Sequence, residues 1–433
     1  MNYRNCLVAI LYIVSLSATQ THAAAETLSL RDAIRLTLDN NPEFRTYQLR
    51  HDAIAGELVT ADQRPALRIS TEIENVLGTG DLNWFHGTEL TFSLSQIIEF
   101  GGKRALRTNT VSQRQNLLST EQQVLELDML SLTTTRYIEL AAAEEMQRLL
   151  VRATQLATEI FEAVSEQVVA GRAPQAELAR AAAALALAEL AEQSSAFDIN
   201  TARIKLSSLW GVLKPEFTTA EANLLQIEEL TDINVLLQKL EQNPAIQVFA
   251  SAGRLREAEL REARSKRQAN IEVGAGIRHL AELNDTALLF QASIPLSSKR
   301  RASGAITTAR ANLLRVDAER QTALLSLKAH LLSLGQQRQL AVNEFTTLQN
   351  LVLPHLENAL EATRTAFESG RYSYLELSAA QKELLDGELS LIQAASRAHL
   401  LRVEIERLSG ESYPELNSIN REAPGAFSAG ISQ

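Results

Sequence analysis

Between Lys103 and Ala170 the chain runs 68 residues without a glycine or a proline. At 1.5 Å per residue, a helix of that length is a rod of about 100 Å. The tract breaks at Arg172-Ala173-Pro174, where proline suits the first turn of a returning helix. An Ala- and Leu-rich stretch then continues to Trp210. A second pair of arms, Arg301 to Ser369 and Tyr372 to Leu408, repeats this layout. Gly304, Gly335 and Pro354 are expected to interrupt its first arm. Arms this long cannot bury themselves in one globule; they suit antiparallel coiled hairpins packed side by side. Composition agrees: Gly (18), Pro (9) and aromatics (5%) are scarce, so the fold class expected is mainly α. The formal charge of -10, with acids and bases intermixed, lacks the basic footprint of a nucleic-acid binder.

Internal duplication organises the chain. Asn41-Pro42 returns as Asn243-Pro244, Gly171-Arg172 as Gly370-Arg371, and Leu209-Trp210-Gly211 as Leu408-Ser409-Gly410. The offsets are 202, 199 and 199 residues. The domains read from this are a first structural repeat at 26–212, an inter-repeat linker at 213–230, a second repeat at 231–411 and a disordered tail at 412–433. Residues 1–25 carry Arg4, an apolar run from Cys6 to Val14 and an ending Ala23-Ala24-Ala25, the pattern of a secretory signal peptide. Cys6, the one cysteine, would leave with it, and it stands at the start of the apolar run rather than at its end, a poor place for lipid attachment. The mature chain is then expected to hold no disulfide and no thiolate metal site.

Each repeat contains two candidate strands, at 68–77 and 87–96, and at 270–279 and 286–296. Apolar residues alternate with charged or small polar ones: Ile69, Thr71, Ile73 against Ser70, Glu72, Glu74; Leu90, Phe92, Leu94 against Glu89, Thr91, Ser93. About ten residues is the length of a tilted strand crossing a bilayer. One apolar and one polar face fit lipid outside and water inside, while a soluble sheet with one buried face is the alternative. Four strands leave two open edges, which lipid does not tolerate, so the barrel must be shared with other copies. Hydrogen-bond satisfaction alone does not fix how many.

The segment Gly87-Thr-Glu-Leu-Thr-Phe-Ser-Leu-Ser-Gln-Ile-Ile-Glu-Phe-Gly-Gly-Lys-Arg104, with Asn40-Asn41-Pro42-Glu43 and Glu72-Ile-Glu-Asn75 before it, resembles the TolC-type outer-membrane efflux proteins. Within them it is most similar to the CzcC-like branch of cobalt–zinc–cadmium efflux. The general resemblance spans about 28–411. It implies a homotrimer whose twelve strands form one barrel, continued by a periplasmic helical tunnel. It also implies a periplasmic adaptor and an inner-membrane RND pump as partners, with no cofactor and no catalytic residues. Gly171, Arg172, Leu178, Gly370, Arg371 and Leu377 would be adaptor contacts at the hairpin tips. Glu376 falls where similar proteins carry an acid ring at the channel entrance; the family's next acid is Ala379 here.

Simpler roles stand beside these. Glu376 and Glu177 are also first-turn acids, favoured by the helix dipole. Gly171 and Gly370 supply backbone freedom at a turn. Phe100-Gly101-Gly102-Lys103-Arg104 lacks the spacing of a phosphate loop. Lys103 and Arg104, with Lys299 and Arg300 in the second copy, read as membrane-boundary residues. The histidines outside the leader (51, 86, 279, 330, 355, 399) form no i, i+4 or His-x-His pair. His86 and His279 lie by inter-strand loops, where a mouth ring competes with ordinary surface roles. The expected function is a passive exit duct for divalent heavy-metal cations. Alternatives are a duct for drugs, solvents or secreted polypeptides, and a soluble periplasmic scaffold or adhesin. No arrangement of nucleophile, base or paired carboxylates supports an enzyme.

Overall fold

The computed structural model describes residues 27–77, 79–80, 84–85 and 87–410. The expected leader, Cys6, the tail and His86 lie outside the described residues. The first repeat runs β1 (Thr27–Leu28), α1 (Leu30–Asn40), α2 (Pro42–Ala61), β2 (Arg68–Glu74), β3 (Glu89–Ile98), α3 (Lys103–Val169) and α4 (Gln175–Ser207). After β4 (Thr219–Ala220), the second runs α5 (Ile233–Lys239), α6 (Pro244–Ser265), β5 (Ile271–Leu280), β6 (Asp285–Ser293), α7 (Ser298–Thr347), α8 (Leu353–Glu368) and α9 (Tyr374–Ser409). The 67-residue α3 is the central rod, packed against α4, α6 and α9. The observed strands lie within three residues of the expected bounds.

Two expected breaks do not occur. The α7 helix passes through Gly304 and Gly335 without interruption. Glycine costs a helix only about 1 kcal/mol; at Gly335 close packing favours it, since a Cβ would stand 3.1 Å from the Ile233 side chain, while Gly304 is exposed with open space around it. At Pro354 the rod does change, through a π-helical turn at Leu348–Val352 before α8. One inserted residue per turn releases the backbone bond that proline cannot make.

The duplicated motifs meet at one joint in each repeat. Asn41 caps α2, its side-chain oxygen accepting from Glu43 N–H at 2.8 Å, while its amide donates to the Leu209 carbonyl at 2.8 Å. Asn243 caps α6 through Ala245 N–H at 2.7 Å and donates to the carbonyls of Leu408 (2.8 Å) and Arg407 (2.9 Å). Proline at the first helical position loses no bond there. The asparagine thus fastens the start of one helix to the end of another some 165 residues on.

Residues 213–230 are not a slack linker. Arg203 of α4 donates to the Thr218 carbonyl, and the Glu144 carboxylate of α3 accepts from Ala220 N–H at 3.1 Å. The buried Tyr137 hydroxyl lies 2.9 and 2.8 Å from the carbonyls of Leu28 and Glu221 and shares its proton between them. From the second repeat, His399 reaches the Leu224 carbonyl at 2.9 Å and Arg338 the Glu228 carbonyl at 2.6 Å. β4 pairs in parallel with β1, Phe217 packs near Trp210, and Leu224 sits in a core with Leu149, Phe345 and Ile392. The segment is a strap bonded to both repeats.

Asn243 is 2% exposed, so Asn243→Ala removes a cap and strands two carbonyls. A loss of about 2–3 kcal/mol is expected, against about 1 kcal/mol for the more exposed Asn41→Ala. Thermal melts of the detergent-solubilised protein check the order of the two.

Candidate functional site

The four long strands form one sheet in the order β2-β3-β5-β6, all antiparallel. Its register aligns Ile69, Leu94 and Ala275 with Phe290, and Ile73, Leu90, His279 and Thr286 at the loop end. One face therefore carries Ile69, Phe92, Leu94, Ile277, Leu288 and Phe290, all exposed, Phe290 at 77%. The opposite face carries a charged ladder that sequence reading had not assembled. Arg278 pairs with Glu89 at 2.8 Å and Glu74 at 3.2 Å and donates to Thr91 at 3.0 Å. Arg68 approaches Glu272 at 3.8 Å. Polar residues at every second position were the available signal; their partners became visible only with the register. Gly276 permits a close approach of the neighbouring strand, since a Cβ there would stand 2.5 Å from the Phe92 carbonyl oxygen. Both edges, β2 and β6, lack a strand partner among the described residues.

All four strand–helix crossings gather at one end of this ribbon. Lys103 donates to the Gln268 carbonyl at 2.7 Å and to Asn270, and partial burial pulls its ammonium pKa down. Arg104 makes a two-pronged contact with Asp62, at 3.0 and 2.7 Å, and Arg107 does the same with Glu99. Lys299 and Arg300 remain exposed. The four expected boundary residues thus divide into an internally bonded pair and a free pair.

At the far end of the rods the two hairpin tips have the same construction. Arg172 N–H bonds to the Gln167 carbonyl and Gly171 N–H to that of Val168; Arg371 and Gly370 repeat this with Ala366 and Phe367. Each is a Schellman motif. Gly171 and Gly370 have φ of +69° and +71°, and a Cβ on either would meet nothing within 4 Å, so turn geometry accounts for the glycines. Gln167 donates to the Phe367 carbonyl at 3.3 Å and ties the tips together. Arg172 and Arg371 are exposed. Leu377, expected to face a partner, is instead 1% exposed in a core with Ile160, Val164, Phe367 and Tyr374, and Leu178 packs partly against it. The helical turn carries Leu377 inward and leaves Leu375 outward at 62% exposure, with Tyr372 and Val169 also exposed. Sequence offset alone could not assign the face.

Glu376 completes a capping box. Its carboxylate accepts from the Ser373 N–H at 3.0 Å and from the Ser373 hydroxyl, while Ser373 accepts from Leu375 N–H. These bonds, the hydroxyl's first, hold its carboxyl below the usual carboxylate range. Glu177 has no such cap, since Pro174 stands at the equivalent position. Among the described residues no three His, Cys, Asp or Glu side chains gather as a metal site. His279 lies against Thr286, His330 is 3.9 Å from Glu404, and His399 is held in the strap. No helix among the described residues is long and apolar enough to cross a membrane.

The tip analysis predicts opposite outcomes for neighbouring leucines. Leu377→Ala opens the tip core and costs about 2–5 kcal/mol, read as earlier thermal unfolding and proteolysis at 170–174 and 369–373. Leu375→Ala leaves both unchanged.

No family model matches the chain. It is 24% identical over 387 residues to the cobalt-zinc-cadmium resistance protein CzcC of Cupriavidus metallidurans, covering 89% of this chain and 91% of that one. Its fold matches that of CusC, a protein described in transmembrane channel formation, with TM-score 0.73, 16% identity and coverage of 88% and 91%. It likewise matches the Campylobacter jejuni CmeC outer membrane channel, with TM-score 0.72, 15% identity and coverage of 91% and 89%. The chain thus shares its fold with solved outer-membrane channel proteins and is similar in sequence to CzcC.

Proposed function

We propose that three copies of this chain form one outer-membrane duct, the passive exit for divalent metal cations. A periplasmic adaptor and an inner-membrane RND pump would supply cargo and energy. The observation that carries this reading is the four-stranded ribbon with one exposed apolar face and two unpaired edges. In hydrocarbon an unpaired strand edge is untenable, and three ribbons joined edge to edge close a twelve-stranded wall. Exposed Leu187, Leu190 and Phe197 on α4, and Leu314, Leu325 and Leu340 on α7, offer apolar flanks for neighbouring copies. Metal as cargo is supported by the likeness to CzcC. A conduit works through weak, multi-site contact, so a tight ligand cluster is not required.

At the tips, Gly171, Arg172, Gly370 and Arg371, with Leu178 at their base, are proposed to receive the adaptor; exposed Leu375 takes the place first given to Leu377. Three copies of Glu376 near one axis would favour cations over anions. With its pKa depressed, the carboxylate keeps its charge to lower pH than an ordinary glutamate; its capping contribution is full above the ordinary glutamate pKa and is lost as pH falls from there through the depressed one.

Deleting the chain should sensitise cells to zinc, cobalt or cadmium. Antibiotic sensitivity with unchanged metal tolerance would point to organic cargo instead. In planar bilayers, Glu376→Gln should reduce cation selectivity, and wild-type selectivity should hold from pH 7 down to pH 5. Phe290→Arg, on the apolar face, should impair membrane assembly by about 2–4 kcal/mol, while Gln291→Arg on the other face is tolerated. Equal effects of these two would sink the barrel reading.

A further inference from the structure

We infer that the strand–helix crossings form a basic belt that binds the anionic phospholipid headgroups of the leaflet nearest the helices. This rests on the outer-membrane reading and adds a lipid class to it. The crossings at 62–68, 99–107, 264–272 and 294–301 hold eleven Lys and Arg against three acids, in a chain whose net charge is -10. The sheet register places all four at one end of the ribbon. The opposite, loop end carries Glu74, Glu89, Glu282 and Asp285 against Arg278, which pairs with the first two, so net charge differs in sign between the ends.

Two structural explanations leave part of these cations unaccounted for. Helix stability does not call for them, because α3 and α7 open on Lys103-Arg104 and Lys299-Arg300-Arg301 with no acid in the first turn. Cations at that position oppose the helix dipole. Elsewhere the chain obeys that rule, with Asp32, Glu43 and Glu376 in the first turns of α1, α2 and α9. Internal pairing accounts for some, such as Arg104 with Asp62 and Arg107 with Glu99. Arg64, Arg267, Lys299 and Arg300, however, are exposed and form no salt bridge among the described residues.

Next to the free cations lies bare apolar surface. Leu67 and Ile69 follow Arg64, and Ile294 and Leu296, the latter 82% exposed, precede Lys299. Acyl chains fit the apolar side while the phosphate meets the cations, a match that a free anion lacking chains cannot use.

The test is electron paramagnetic resonance of spin-labelled phosphatidylglycerol and phosphatidylcholine in bilayers holding the full chain. The wild type should immobilise the anionic lipid at least about twofold more strongly than the zwitterionic one, a preference lost at high salt. The combined variant Arg64→Gln, Arg267→Gln, Lys299→Gln, Arg300→Gln should bring the ratio towards one with cross-linked oligomer unchanged. Equal immobilisation by the wild type, an undiminished ratio in the variant, or displacement by inorganic phosphate would each overturn the inference. If the wild type immobilises neither lipid, the outer-membrane reading falls and takes this one with it.

Discussion

A strand at the edge of a sheet leaves a row of N–H and C=O groups without partners, and hydrocarbon offers no water to take their place. In this chain that constraint falls on β2 and β6, which flank a ribbon whose apolar face is bare along its length. A soluble protein would cover such a face with a helix. Here the helices instead join the ribbon at one end, and among the described residues nothing covers Leu288 or Phe290. The proposed trimer answers both problems at once, by edge pairing and by lipid.

The rods need their own restraint, because helices of this length gain stability from lateral packing rather than from any compact core. Two asparagines supply part of it by joining helix starts to distant helix ends. The strap adds the rest, with bonds from α3 and α4 on one side and α7 and α9 on the other. The joints repeat with the duplication; the strap occurs once and links the halves.

Much of this was legible before any coordinates. Length without breakers announced α3, period-two alternation placed the strands to within three residues, and repeated motifs marked both joints and both tips. What the sequence hid were matters of partner and face. Residues 213–230 read as a linker from their place between the repeats; several bonds that hold them use backbone carbonyls, which carry no side-chain signature. The charged ladder of Arg278, Glu89 and Glu74 required the register of three strands. Glycines 304 and 335 looked like breaks, but a single glycine costs too little to stop a helix of fifty residues, and at Gly335 close packing against Ile233 favours it.

By itself, then, the order of residues determined periodicity, length and duplication, since these follow from local backbone sterics and the spacing of apolar side chains. Tertiary structure alone decided that Leu377 turns inward while Leu375 turns out, and that Lys103 is tied down while Lys299 is free. Each of those depends on which group from elsewhere in the chain arrives within bonding distance, and sequence spacing does not encode that distance.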